Sequence, residues 1–322
     1  VNEFELIARY FDRPVRDPSV RLGIGDDAAI VAPTPGCELA ISVDMLVEGR
    51  HFLAGVDPEA LGHKTLAVNL SDLAAMGARP RWALLAGALP DADARWLDGF
   101  TRGLFTLANR FGVALIGGDT TRGPRNLCVT IIGEVPAGEA ITRYGAEPGD
   151  DVWISGALGD AALALAALQG RTSMPAGALA RLRERLERPT PRVALGEALR
   201  GVATAALDVS DGLTGDLGHI LDSSRVGARV DLASIPCGEA LRSKLAGEHA
   251  LALQCLLAGG DDYELCFTAS PADRDRVLAA GRGSDVGVAR IGVVTAEPGL
   301  RVVDESGEPM ASLPRGFDHF PT

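Results

Sequence analysis

Six short motifs in this 322-residue chain place aspartate beside glycine, serine or the end of an apolar stretch. They are Gly-Ile-Gly-Asp-Asp27, Ser42-Val-Asp44, Asn-Leu-Ser-Asp72, Gly-Gly-Asp119-Thr, Asp208-Val-Ser-Asp211-Gly and Gly-Gly-Asp-Asp-Tyr-Glu264. Five follow apolar stretches. Asp72 instead lies inside a helical pattern, on an otherwise apolar face. A carboxylate taken out of water must be paired or must bind something. Any one of these aspartates also reads as a helix cap or a turn residue. Asp72 with Asp208 and Asp211 resists that reading, because too few cations are nearby in sequence: Lys64 is the only lysine in the first two hundred residues. Hard oxygen donors without Cys or His clusters suit Mg²⁺ rather than Zn²⁺. Mg²⁺ usually joins one or two carboxylates to substrate phosphates, so the pattern points to a phosphate-bearing ligand.

The net charge of −12 argues against a nucleic-acid binder or a polybasic membrane-surface protein. At roughly 100–200 residues per domain, two domains are expected. The five cysteines (Cys37, Cys128, Cys237, Cys255 and Cys266) show neither a disulfide framework nor a CxxC zinc pattern. Reduced thiols of a cytoplasmic protein are expected. The opening Val-Asn-Glu-Phe-Glu-Leu has no basic n-region, and no stretch of about 20 apolar residues lacks charges. Neither a signal peptide nor a membrane span is expected.

Hydrophobic periodicity predicts a short helix over 2–12, strands at 28–32 and 39–43 flanking a turn at 33–36, and a long helix over 58–76. A strand at 82–89, a helix over 91–110 and strands at 113–116 and 127–135 follow. Gly145-Ala-Glu-Pro-Gly149 reads as a linker, dividing the chain into 1–147 and 148–322. The second part opens with a strand at 152–155. Helices near 178–187 and 192–200, a strand at 203–209, a helix at 213–223 and a strand at 228–232 come next. Helices near 238–258, a strand at 264–268, a helix near 271–281 and two late strands finish the chain. The mixture is not a regular βαβ alternation, so the expected class is α+β.

Common nucleotide motifs are missing. Lys64-Thr65 follows His63 and lacks the glycines of a P-loop. Gly23-Ile-Gly-Asp-Asp-Ala is not GxGxxG, and its two acids would repel a pyrophosphate. No protein-kinase constellation is present. Gly156-Ala-Leu-Gly159, between a strand and a helix, reads as a weak anion site or as a close-packing turn. A nucleotide here would have to be held through aspartate-bound metal.

The motifs then carry a specific resemblance. The run Glu3-Phe-Glu-Leu-Ile-Ala-Arg-Tyr-Phe-Asp12 is followed by Gly-Ile-Gly-Asp-Asp27 and Asn-Leu-Ser-Asp-Leu-Ala-Ala-Met-Gly77. Leu-Ile-Gly-Gly-Asp-Thr-Thr-Arg-Gly123, Asp-Val-Ser-Asp-Gly-Leu213, Gly-Gly-Asp-Asp-Tyr-Glu-Leu265 and Gly-Phe-Asp-His-Phe320 complete the set. In this order, end to end, they resemble the thiamine-monophosphate kinases of the aminoimidazole ribonucleotide synthetase superfamily. The resemblance implies a two-domain fold. Its N-terminal domain would bind ATP and Mg²⁺ and form the sheet or barrel of a homodimer, and its C-terminal α/β domain would complete the active site. The implied reaction is transfer of the γ-phosphoryl group of ATP to thiamine monophosphate.

Position by position, the family pattern implies Mg²⁺ ligands at Asp27, Ser42, Val43 (through its backbone), Asp44, Asp72, Asp119, Asp208 and Asp211. It implies ATP contacts at Gly118, Asp119, Arg143 and Ser210, and thiamine-phosphate contacts at His51, Asp261 and Phe317. Val43 stands where the family has Thr, Asp261 where it has Glu, and Phe317 where it has Tyr or Trp. Arg143 also reads as a surface arginine. Phe317 reads either as C-terminal packing or as a cation–π partner of a thiazolium ring.

The chemistry agrees with this resemblance. A phosphate acceptor has a second pKa of about 6, so it is largely ionised at neutral pH and no general base is needed. His63, His219 and His249 lie in helical patterns and read as structural. Positioning and charge neutralisation carry phosphoryl transfer. Alternatives are another ATP-dependent enzyme of the superfamily or a non-catalytic Mg²⁺- or nucleotide-binding protein. Selenophosphate-synthetase-like proteins need an early reactive Cys, and Cys37 here lies in a Pro-Gly turn. Hydrogenase-maturation dehydratases end in a Cys, and this chain ends Phe-Pro-Thr.

Overall fold

The computed structural model describes residues 2–14, 17–304, 306–314 and 316. The chain forms two compact units. The first comprises 1–73 and 78–138, the second 74–77 and 139–322. The crossing at 138/139 precedes the linker at 145–149 read from the sequence. Residues 139–147 are already tied into the second unit: Ile141 N–H donates to Met76 O and Ala206 N–H donates to Thr142 O.

The first unit opens with α1 (Glu3–Leu6), which continues as a π-helical turn over Ile7–Phe11. Strands β1 (Val20–Leu22) and β2 (Ile30–Val31) pair with each other. Then come β3 (Cys37–Val47), α2 (Pro58–Ala75), β4 (Arg79–Leu89), α3 (Ala94–Phe111), β5 (Ala114–Arg122) and β6 (Asn126–Pro136). The sheet order is β3-β6-β4-β5, parallel between β4 and β5 and antiparallel elsewhere. The segments at 30–31 and 37–47 are therefore not partners: β2 pairs β1, and β3 runs along β6.

Local chemistry sets these boundaries. Asp93 caps α3, accepting from the Arg95 and Trp96 N–H groups, and Gly112 closes it in the left-handed conformation. Helix α2 is buried on nearly every side, which fits its long apolar run. It meets α3 through glycines: a Cβ on Gly62 would overlap the Phe100 carbonyl, and one on Gly103 the Glu59 carbonyl.

An ion cluster holds residues 17–19 to the sheet. Arg81 pairs with Asp17 at 3.1 Å and Glu134 at 2.5 Å, all three largely buried. Burial pushes both carboxyls upward, but hydrogen bonds from Ser19 to Asp17 and from Thr34 to Glu134, with the Arg81 charge, hold both below their ordinary range. Their stabilisation is therefore complete above the ordinary carboxylate pKa and is lost as pH falls through the depressed values. Arg81→Met should cost about 2 kcal/mol at pH 7, in urea titrations, and clearly less at pH 3. An equal cost at both pH values would contradict this account.

The second unit contains β7 (Asp151–Ser155), α4 (Asp160–Leu168), α5 (Ala176–Glu187), α6 (Val193–Ala198), β8 (Ala203–Val209), α7 (Leu213–Ser224) and β9 (Gly227–Asp231). It continues with α8 (Glu239–Gly247), α9 (His249–Ala258), β10 (Glu264–Ala269), α10 (Arg274–Gly283), β11 (Val288–Thr295) and β12 (Gly299–Val303). Its six-stranded sheet has the order β12-β9-β11-β7-β10-β8, parallel only between β12 and β9. Leu163, Leu217, Leu241 and Ile291 belong to one continuous apolar core. No helix among the described residues is long and apolar enough to cross a membrane, and none of the five cysteines is in a disulfide.

Candidate active site

In the first unit, β3 and α2 gather one set of oxygen atoms. Strand alternation separates Ser42 and Asp44 from the exposed Ile41, Val43 and Met45. Ser42 Oγ donates to Asp72 Oδ2 at 2.5 Å. The Asp44 N–H donates to Asn69 Oδ1 at 3.2 Å, and Asn69 Nδ2 donates to the Thr65 carbonyl. Thr65, Asn69 and Asp72 thus form a polar stripe at i, i+4 and i+7 on an apolar helix. The sequence reading singled out Asp72 and missed Asn69, whose signal was its place one turn before Asp72.

His51 follows β3 in a turn. Its Nδ1 accepts the Val47 N–H at 3.0 Å, which leaves the ring proton on Nε2.

Asp27, Gly118 and Asp119 line a cavity of about 950 Å³ within the first unit, alongside Asp26 and apolar walls that include Leu84 and Phe100. Gly118 has φ +153°, and a Cβ there would overlap the Leu85 carbonyl. Asp44 and Asp119 differ in register. Asp44 aligns with Val129, Leu85 and Gly118, whereas Asp119 aligns with Ala86, Cys128 and Met45. The ladder therefore puts them on opposite faces of the sheet.

In the second unit, buried Asp208 lies one residue before the end of β8, and residues 210–212 turn into α7. One carboxylate oxygen organises that turn. Asp216 Oδ2 accepts the N–H groups of Ser210, Asp211 and Gly212 at 3.1, 3.0 and 3.0 Å. Burial is the main cause that pushes the Asp216 carboxyl up to about 6, aided by the Asp211 charge and opposed by the backbone N–H bonds.

Ser210 O accepts from Asp261 N–H, and Val209 O accepts from Tyr263 N–H. Asp261 and Tyr263 both have left-handed backbones (φ +68° and +51°), a conformation aspartate tolerates and tyrosine does not readily adopt. Tyr263 Oη also donates to Asp261 Oδ1 at 3.2 Å. Arg143 is exposed. Phe317 lies outside the described residues.

The turn at 156–159 is a close-packing one. Gly159 N–H donates to Asp262 Oδ2 at 2.8 Å and Leu158 N–H to the Pro236 carbonyl. A Cβ at Gly156 would overlap the Glu264 carboxylate. Burial raises Asp262 well above the carboxylate range.

The oxygen donors at the positions read as ligands fit a hard cation. They are carboxylates, one hydroxyl and one backbone carbonyl, with no thiolate or imidazole. Among the described residues no three His, Cys, Asp or Glu side chains form a protein-only metal cage. Mg²⁺ held by one or two carboxylates together with phosphate and water oxygens requires no such cage.

Profiles described as AIR synthase related protein, N-terminal domain and C-terminal domain, match residues 25–135 and 147–305. The thiamine-monophosphate kinase of Escherichia coli (strain K12) is 49% identical over 324 residues, covering 99% of this chain and 98% of that one. The chain belongs to the thiamine-monophosphate kinase family.

Solved members of the family share the architecture. The crystal structure of thiamine-monophosphate kinase from Stenotrophomonas maltophilia K279a superposes with a TM-score of 0.87 at 47% identity, covering 96% of this chain and 98% of that one. A structure described as AaThiL complexed with AMPPCP and TMP gives 0.78 at 29% identity, covering 90% and 89%. The two-domain α+β fold expected from the resemblance is the fold found.

Proposed function

We propose that this chain phosphorylates thiamine monophosphate with ATP, giving thiamine diphosphate and ADP. The observation that carries this reading is full-length similarity to thiamine-monophosphate kinases, with all six acidic motifs in place. A phosphate oxygen of thiamine monophosphate attacks the γ-phosphorus of ATP, and the bond from that phosphorus to the ADP oxygen breaks. The attacking phosphate is already largely ionised at neutral pH, so no side chain has to remove a proton.

Asp27, Ser42, the Val43 carbonyl, Asp44, Asp72, Asp119, Asp208 and Asp211 would hold Mg²⁺. The ions, when bound, would neutralise the charge between the two polyphosphates. Gly118 and Asp119, with Arg143 and Ser210, would receive the nucleotide. The His51 Nε2–H is a donor suited to a phosphate oxygen, and Asp261 is a carboxylate suited to the cationic thiamine. The purified protein should form thiamine diphosphate from ATP, Mg²⁺ and thiamine monophosphate. Product no higher than in an enzyme-free control would overturn the reading.

We also assign a second copy of the chain to the outer face of β3. This edge strand exposes Leu39, Ile41, Val43 and Met45, with Ile41 at 62% and Val43 at 59%. A flat apolar edge of this length is a pairing surface that a monomer would have to shield. The double variant Ile41→Lys, Met45→Glu should run at half the parent's mass in light scattering. An unchanged mass would remove β3 from the interface. The bacterial relatives and the reduced thiols are consistent with a cytoplasmic enzyme.

A further inference from the structure

The turn that carries Ser210 and Asp211 is held by an anion the protein supplies itself. Three consecutive N–H groups converging at a helix start are the usual cradle for an external phosphate. Here Asp216 Oδ2 fills that cradle, accepting from Ser210, Asp211 and Gly212 at 3.0–3.1 Å. The carboxylate belongs to the first turn of α7 and is 5% exposed, so it cannot swing out to solvent without unpacking.

The rest of the turn is fixed as well. Gly212 O accepts from Gly215 and Asp216 N–H, closing the helix start onto the same residues. Ser210 O accepts from Asp261 N–H at 2.9 Å. A Cβ on Gly212, at φ +116°, would stand 2.6 Å from the Ala258 backbone, so the turn has no room to shift that way.

We propose that Asp216 is a positioning residue for phosphoryl transfer: an internal hydrogen-bond acceptor whose placed oxygen fixes residues 210–212 so that Ser210 and Asp211 present their side chains to nucleotide and metal. It touches neither. The turn's backbone is thereby excluded as the phosphate cradle, and recognition falls to its side chains. This rests on the roles given to Ser210 and Asp211 above.

The test uses the full-length protein with Asp216→Ala, Asp216→Asn and Asp216→Glu, and Asp211→Asn as a control. Asparagine keeps one carbonyl oxygen for the three N–H groups; glutamate keeps the charge but displaces the oxygen. Folded Asp216→Ala should lose at least ~30-fold in kcat, with KM for thiamine monophosphate within about threefold. Its affinity for the non-hydrolysable analogue AMPPCP with Mg²⁺, by calorimetry without turnover, should fall at least ~10-fold. Asp216→Asn should recover to within about fivefold in both readouts, and Asp216→Glu should resemble Asp216→Ala.

If Asp216→Ala fails to fold, the Asn and Glu variants decide by the same criteria. Asp216→Ala within about threefold of the parent in both readouts, or Asp216→Glu better than Asp216→Asn, overturns the positioning role while leaving the kinase reading intact. Full activity in Asp211→Asn would overturn the site assignment itself, and this proposal with it.

Discussion

Asp72→Asn should lower kcat/KM for thiamine monophosphate by about 100-fold or more, the scale seen when one preorganised charge-stabilising group is removed. The side chains are nearly isosteric, and the amide still accepts the Ser42 hydroxyl. The fold should therefore survive, with a melting temperature within a few degrees of the parent. What changes is charge: the one carboxylate on the Thr65–Asn69–Asp72 stripe becomes neutral. The proposed cation site would lose a full unit of charge, and phosphate repulsion would go less screened. Raising Mg²⁺ should restore part of the rate. A rate within about threefold of wild type at low Mg²⁺ would remove Asp72 from the ligand set.

The second large effect is on stability. Glu264 is fully buried at the start of β10. It accepts from Ser155 Oγ at 2.6 Å, Arg185 Nη2 at 2.7 Å and Arg192 Nε at 2.7 Å, with Arg192 Nη2 at 2.5 Å. One carboxylate thus satisfies two guanidinium groups. Glu264→Gln leaves both arginines short of a counter-charge in low dielectric. Breaking such a pair costs about 3–5 kcal/mol. Arg185 is partly exposed and can turn outward, so the lower end, about 3 kcal/mol in urea unfolding, is expected. A loss under about 1 kcal/mol would show that the arginines find other partners.

Most helices and many strands were legible because their signals are local. The Asp93 cap, the Gly112 stop and the apolar run of α2 each act within a few residues. What escaped is what depends on partners distant in sequence. Strand β5 was expected to stop at Ile116. Instead Gly117 and Gly118 continue the parallel ladder on Leu84 and Leu85. The strand expected at 28–32 is present as the two-residue β2, but its partner β1, only three residues long, was not expected.

The acidic motifs were visible from spacing alone, but their supports were not. Asn69 and Asp216 look like ordinary helix residues until the backbone N–H groups that meet them are in place. The unit crossing at 138/139 likewise follows from hydrogen bonds made to Met76 and Ala206, far along the chain.

Strand β3 alternates half-buried polar residues with exposed apolar ones. On the roles proposed above, the side chains of Ser42 and Asp44 would serve ligand, while those of Ile41, Val43 and Met45, exposed on the alternate positions, would serve a second copy. Only one backbone separates the two sets of side chains, so a shift imposed on one set would be felt by the other. Thermodynamic reciprocity then applies: whatever ligand adds to subunit affinity, association must return to ligand affinity in equal measure. Protein concentration would then act as an effector of the activity proposed here.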